Sequence, residues 1–354
     1  MNKVAARLDA IDVLRGVTII EMLSAHFAAY FPNGIALAIT YTETAMALFV
    51  LLSGFMVGWR INAFDIRPLG VSRDLWMRAA KIFVVQLVLV LTAGVAVYAF
   101  DLYGAANGKS FARFLGESLL LYNQVGLIHI LPTFLPLFVI APIILLTIAA
   151  RHNLLLFAAS AAVFALGHFH PYALNYGAPA IFPFVMFQLY FVVGGIAGSR
   201  ARRFGMIESH PAGRYLIAAL IALSATMAWV HMKFVPAGTV STHPLNFFGL
   251  VYHTPLIAVV VFGVLRFEPN FRGWPGAGVI ARFGRNALLA FVLHVYLAVG
   301  LKALNVMKPM PMALNVMAIA GSIVVMNLIL RHYETLRHGP DPPAWVRGVS
   351  LLFS

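Results

Sequence analysis

Apolar positions in this chain come in long blocks rather than at the period of an amphipathic helix or a half-buried strand. A helix that crosses a bilayer needs about 20 mostly apolar residues. Ten blocks meet or approach that length: residues 13–31, 43–60, 79–100, 127–150, 153–168, 183–199, 214–232, 246–265, 284–304 and 310–330. The fifth is short. The fourth carries Pro132, Pro136 and Pro142, which remove ladder hydrogen bonds and can kink a span. The pattern predicts an all-α integral membrane protein, a bundle of about ten transmembrane helices. Residues 1–330 form one membrane domain and residues 331–354 a short cytoplasmic tail. That tail holds Gly339-Pro340-Asp341-Pro342-Pro343 and shows no strong helical period. In the gap at 101–126, Lys109 to Leu120 mixes apolar and charged residues at helical spacing, which predicts a segment lying flat on the membrane surface.

Composition agrees with the pattern. Of the 354 residues, 61% are hydrophobic and 10% charged, against roughly 25% charged in a soluble domain. Mean hydropathy is +0.88. So few charges cannot cover a water-facing surface, which excludes a cytosolic enzyme, a DNA-binding protein and a secreted disulfide scaffold. Cysteine is absent, so disulfides, thiolate nucleophiles and cysteine metal sites are excluded. No small-residue cleavage site follows the first apolar block, so a cleaved leader is not expected.

The net charge of +13 would suit nucleic acid, but its distribution points elsewhere. With a cytoplasmic N-terminus, 20 of the 25 Lys and Arg fall on the cytoplasmic side and 5 outside. That is the positive-inside asymmetry. The basic balance is therefore a topology signal, no nucleic-acid partner is expected, and both termini are placed in the cytoplasm.

Ionisable residues within a span are costly and mark functional candidates. The first span carries Asp9, Asp12, Arg15, Glu21, Ser24 and His26. Arg15 and His26 are 11 residues apart, almost three full turns, so they share a face about 16 Å apart along the axis. Arg15 sits near the cytoplasmic surface and His26 past the midplane. In the ninth span His294 follows Arg285 by 9 residues, about 13 Å deeper. In the second span Ser53 lies 10 residues inward from Glu43, about 15 Å. His26, His294 and Ser53 thus reach similar depth. At the inner helix ends stand Arg15, Arg78, Lys81 and Arg285, a set suited to phosphate, with Arg contributing bidentate contacts and Lys a point charge. A cytosolic cofactor with phosphates outside the core and a reactive tip at mid-membrane fits, and acyl-coenzyme A is one. A buried neutral imidazole there can act as general base for a hydroxyl. Gly194, Gly195 and Gly198 allow close helix approach. His168 and His170 have no carboxylate near them in sequence, and no metal site is expected.

The run from Leu8 to Gly16 (Leu-Asp-Ala-Ile-Asp-Val-Leu-Arg-Gly), with His26 after it, resembles the N-terminal signature of the acyltransferase-3 superfamily. Phe49 through Ser53-Gly54-Phe55 resembles its second-span signature, and Arg78-Ala79-Ala80-Lys81 the basic pair opening the third span. Within that superfamily the chain is most similar to the OpgC family, which succinylates osmoregulated periplasmic glucans. Three stretches carry this: His129 with Leu131-Pro132, Phe182-Pro183-Phe184 with Gln188, and Gly284-Arg285-Asn286 leading to His294. The resemblance implies a bacterial inner-membrane enzyme that moves an acyl group, succinyl or acetyl, from cytosolic succinyl-CoA or acetyl-CoA to a hydroxyl of a periplasmic or cell-surface glucan or other carbohydrate. It makes His26 the catalytic base, and His294, at similar depth, is the second catalytic candidate. Arg15, Arg78, Lys81 and Arg285 become cofactor-binding, and Asp12, Glu43, Ser53 and Gln188 substrate-binding or site-shaping. The chain departs from the family at Phe182 and Phe187, where an Asn and a Trp are usual. A homodimer or a membrane partner protein is compatible with these features. Two other classes stand beside the enzyme: a transporter or flippase of a glycan or lipid precursor, and a non-catalytic membrane subunit keeping the fold.

Overall fold

In the computed structural model, residues 3–27, 44–63, 68–105, 108–122, 128, 130–170, 184–200, 213–234, 247–271, 274–339 and 341–353 are described. Their regular structure is helical throughout. Helix α1 is Lys3–Ala25 and α2 is Ala45–Ala63. Helix α3 runs through Pro68–Leu89, a π-helical turn at Val90–Gly94, and Val95–Ala99. A short helix α4, Phe111–Leu119, precedes α5, Ile130–Ala149. Helices α6 (Asn153–Phe169), α7 (Phe184–Ser199), α8 (Gly213–Phe234) and α9 (Phe247–Phe271) follow. The last four are α10 (Pro275–Arg285), α11 (Ala287–Met307), α12 (Met312–Arg337) and α13 (Ala344–Phe353).

Five stretches are long and apolar enough to cross a membrane: Ser72–Ala99, Ile130–Ala149, Phe247–Leu265, Ala287–Val306 and Met312–Arg337. Shorter apolar stretches cover Ala45–Ile61, Asn153–Phe169, Phe184–Ser199 and Tyr215–Val230. Length and apolarity thus support a multi-pass membrane protein, with five stretches of full spanning length among the described residues. The outer surface agrees. Leu154 is 82% exposed and Ile143 67%, and such apolar side chains are better accommodated by hydrocarbon than by water.

Two helix pairs approach backbone to backbone. On α2 and α7, Gly54 faces the Phe191 carbonyl and Gly58 that of Gly195. In return Gly194 faces Leu51 and Gly198 faces Phe55. Each helix offers glycines four residues apart, and the constant offset means the two run parallel. A Cβ at any of these positions would overlap a carbonyl oxygen. The second pair is α1 with α10. Gly16 abuts the Ile280 carbonyl and Gly284 that of Asp12, so these two run antiparallel. Small residues are the usual means of close packing in a solvent that gives no hydrophobic drive.

Three features depart from the sequence expectation. Residues 275–285, expected to be mostly loop, form α10, because Pro275 occupies the first helical turn where its missing N–H costs nothing. The tail is helical in two pieces. Helix α12 continues to Arg337, and α13 docks on it through the buried Val346 and a 2.9 Å hydrogen bond between Tyr333 Oη and Ser350 Oγ. The surface segment 109–120 does become a helix, α4, with Ser110 as N-cap and Phe114 fully buried. The Tyr98 hydroxyl ties it to α3 by donating to the Lys109 carbonyl at 2.8 Å.

Candidate active site

The centre of the site is a pair of imidazoles. His26 stands in the turn just after α1 and α11 presents His294; the two rings stack with centroids 5.4 Å apart and planes 7° from parallel. His294 is fully buried and its Nδ1 lies 2.7 Å from the Phe291 carbonyl. A carbonyl only accepts, so Nδ1 carries the proton and Nε2 keeps its lone pair. That Nε2 is buried with no hydrogen-bond partner among the described residues. The Phe291 ring meets the imidazole at 4.9 Å and 63°. The tautomer and orientation of His294 are therefore fixed by its own helix, leaving a basic nitrogen inside the bundle.

The first turns toward the basic end hold cations. The guanidinium of Arg78 lies within electrostatic reach of Arg15 and Arg60, and 5.2 Å over the Phe138 ring of α5, a cation–π contact. Arg60 also comes within 3.7 Å of Asp74. Arg15 is half-buried and feels the carboxylate of Asp12, one turn earlier. Lys81 is half-buried one turn beyond Arg78. Three like charges in one neighbourhood repel, so the cluster favours an anion among them.

Arg285 stands apart from that trio. It is exposed and comes within 3.5 Å of Glu334 on α12. Glu334 is shared: it accepts from Arg282 Nε at 2.9 Å and from Asn286 Nδ2 at 2.8 Å. Arg282 also donates to Asn327. This network ties α10 to α12. Gln188 is buried but committed elsewhere, donating to the Ser160 carbonyl at 2.7 Å while the Ser160 hydroxyl donates to its Oε1 at 2.6 Å. It joins α6 to α7. Ser53 is buried on α2 close to the glycine seam. Glu43, His129 and Phe182 lie outside the described residues.

Sequence reasoning missed one residue, Arg60, and singled out another, Glu21, without its role. Arg60 reads in sequence as a topology charge, and only the fold brings it to Arg78. Glu21 points away from His26 and caps α2, accepting from the Thr44 and Ala45 backbone N–H groups and from the Thr44 hydroxyl at 3.3 Å. An acidic side chain at a helix N-terminus is favourable. The signal was present as an acid in α1 followed by a Thr before the second apolar block.

The family model described as OpgC protein matches residues 7–337. Among curated proteins and solved structures, none matches.

Proposed function

The chain belongs to the OpgC family, and on that premise we propose that it is a membrane acyltransferase of the acyltransferase-3 type. It moves succinyl or acetyl from cytosolic acyl-coenzyme A to a carbohydrate hydroxyl across the bilayer. The observation that carries this reading is the stacked His26–His294 pair joined by α1 to the arginine neighbourhood. Arg15, Arg78 and Arg60 hold the donor phosphates, with Lys81 beside them and Arg285 at the rim. The thioester then reaches inward along α1, about 16 Å from Arg15 to His26.

At the pair, His26 takes the proton of the acceptor hydroxyl while its oxygen attacks the thioester carbonyl. The carbon–sulfur bond breaks, and the imidazolium returns the proton to the leaving thiolate, which departs as the free thiol of coenzyme A. His294 holds the second ring parallel and offers Nε2 to the acceptor or to the developing imidazolium. Two positive rings 5.4 Å apart in a low-dielectric interior would repel strongly, so the pair works with one proton at a time. Asp12 steadies Arg15, and Ser53 packs beside the site.

The test is equilibrium binding of coenzyme A and succinyl-coenzyme A to the purified protein in detergent. Saturable binding is expected, weakened about tenfold or more by Arg15→Ala or Arg78→Ala, since a lost charge-assisted contact is worth about 1.5–3 kcal/mol. A folded protein that binds neither ligand contradicts the reading and favours a transporter or a subunit without catalysis.

A further inference from the structure

Among the described residues most buried carboxamides are spent on protein partners; the oxygens of Gln86, inside the bundle, and of Asn153, at the first turn of α6, are not. Gln188 bonds Ser160, Asn286 bonds Glu334, and Asn305 and Asn315 bond each other and Met310. Gln86 of α3 is 1% exposed, and its Oε1 has no hydrogen-bond partner among the described residues. A buried unsatisfied acceptor is costly, and each such group in a native structure calls for an explanation.

The height of Gln86 supplies one. The Thr92 hydroxyl donates to the Val88 carbonyl at 2.7 Å, so Tyr296 of α11 must donate to Thr92, at 2.6 Å. That bond sets α3 level with α11 at the π-helical turn. Helix α11 goes on to touch Val95–Ala99 and Leu102–Gly104, so the two helices run the same way. Gln86 precedes Thr92 by six residues and His294 precedes Tyr296 by two. Gln86 therefore stands about 6 Å nearer the basic end than His294, and about 12 Å beyond Arg78. It faces the interior with Ala79, Ile82 and Val85.

We infer that the Gln86 carboxamide oxygen is a binding group for the amide-bearing arm of the thioester donor, accepting one of its amide N–H groups between the arginines and the histidines. This rests on the acyl-coenzyme A reading. A donor with phosphates at one end and a thioester at the other carries two secondary amides between them, and a buried carbonyl acceptor at intermediate depth matches such a donor group.

The experiment compares two ligands on the full-length protein: coenzyme A, and adenosine 3′,5′-bisphosphate, which has phosphates and no arm. Gln86→Leu and Gln86→Met are measured beside wild type, with thermal midpoints in detergent. Coenzyme A binding should weaken about five- to tenfold in both variants, bisphosphate binding should be unchanged, and the ligand-free midpoint should hold or rise. Equal weakening of both ligands, no weakening of either, or a large fall in the ligand-free midpoint overturns the assignment. If wild type binds neither ligand, the acyl-coenzyme A reading itself fails.

Discussion

At the scale of single residues, the account turns on which nitrogens are available. His294 is locked by the Phe291 carbonyl, so its role is set by geometry rather than by rotation. His26→Ala should cost about 100- to 10,000-fold in transfer rate, the range for a lost general base, while coenzyme A binding stays within about twofold. His294→Gln should lower the rate less than His26→Ala and leave donor binding alone; steady-state kinetics with separate kcat and KM measure both. Arg60→Ala should weaken coenzyme A binding although its position in sequence marks it only as one basic residue among many; titration with the ligand checks this. The spacing of Arg15 and His26 on one face was legible in the sequence because helix geometry alone fixes it. The meeting of His26 with His294, and of Arg60 with Arg78, was not, because both depend on which helices become neighbours, and a single apolar pattern says nothing of that.

At the scale of elements, the glycine seams are the strongest local determinants. Gly58→Val or Gly284→Val inserts carbon where a carbonyl oxygen already sits. Each should destabilise by about 1–3 kcal/mol or more, read as a fall in thermal midpoint in detergent, whereas valine at Gly263 or Gly300, with nothing within 4 Å, should be close to neutral. The Gly194 and Gly198 pair was readable as a close-approach motif; the partner helix was not. Helix α10 escaped the sequence reading because glycines at 276, 278 and 284 lower its helical signal, yet Gly284 is there to meet Asp12 of α1. At the surface helix α4, hydrogen bonds from Lys109 and Arg113 hold the Glu117 carboxyl below the usual carboxylate range. A lowered folded-state value means that its contribution is present above the ordinary carboxylate range and lost as pH falls through the lowered one. Glu117→Gln should therefore slightly lower the thermal midpoint at neutral pH, with the difference closing on acidification. The effect stays small because the pair is exposed.

At the scale of the molecule, the arrangement is a bundle with cations at one end, a histidine pair inside, and apolar side chains facing outward. Mean composition and the block pattern were enough for the membrane class. The blocks 153–168 and 183–199 form helices of 17 and 16 residues, shorter than the about 20 residues of a full-length span. The arginines and the imidazoles come from the first, second, third and eleventh helices rather than from one loop, as the proposed transfer between opposite faces requires.

The most direct test of that account uses the protein reconstituted in vesicles, with labelled succinyl- or acetyl-coenzyme A supplied on the basic side and a glucan on the other. The account predicts labelled glucan with wild type and none above background with His26→Ala, the variant still binding coenzyme A. Transfer that persists in His26→Ala, or labelled glucan made only when donor and acceptor share a side, would contradict it.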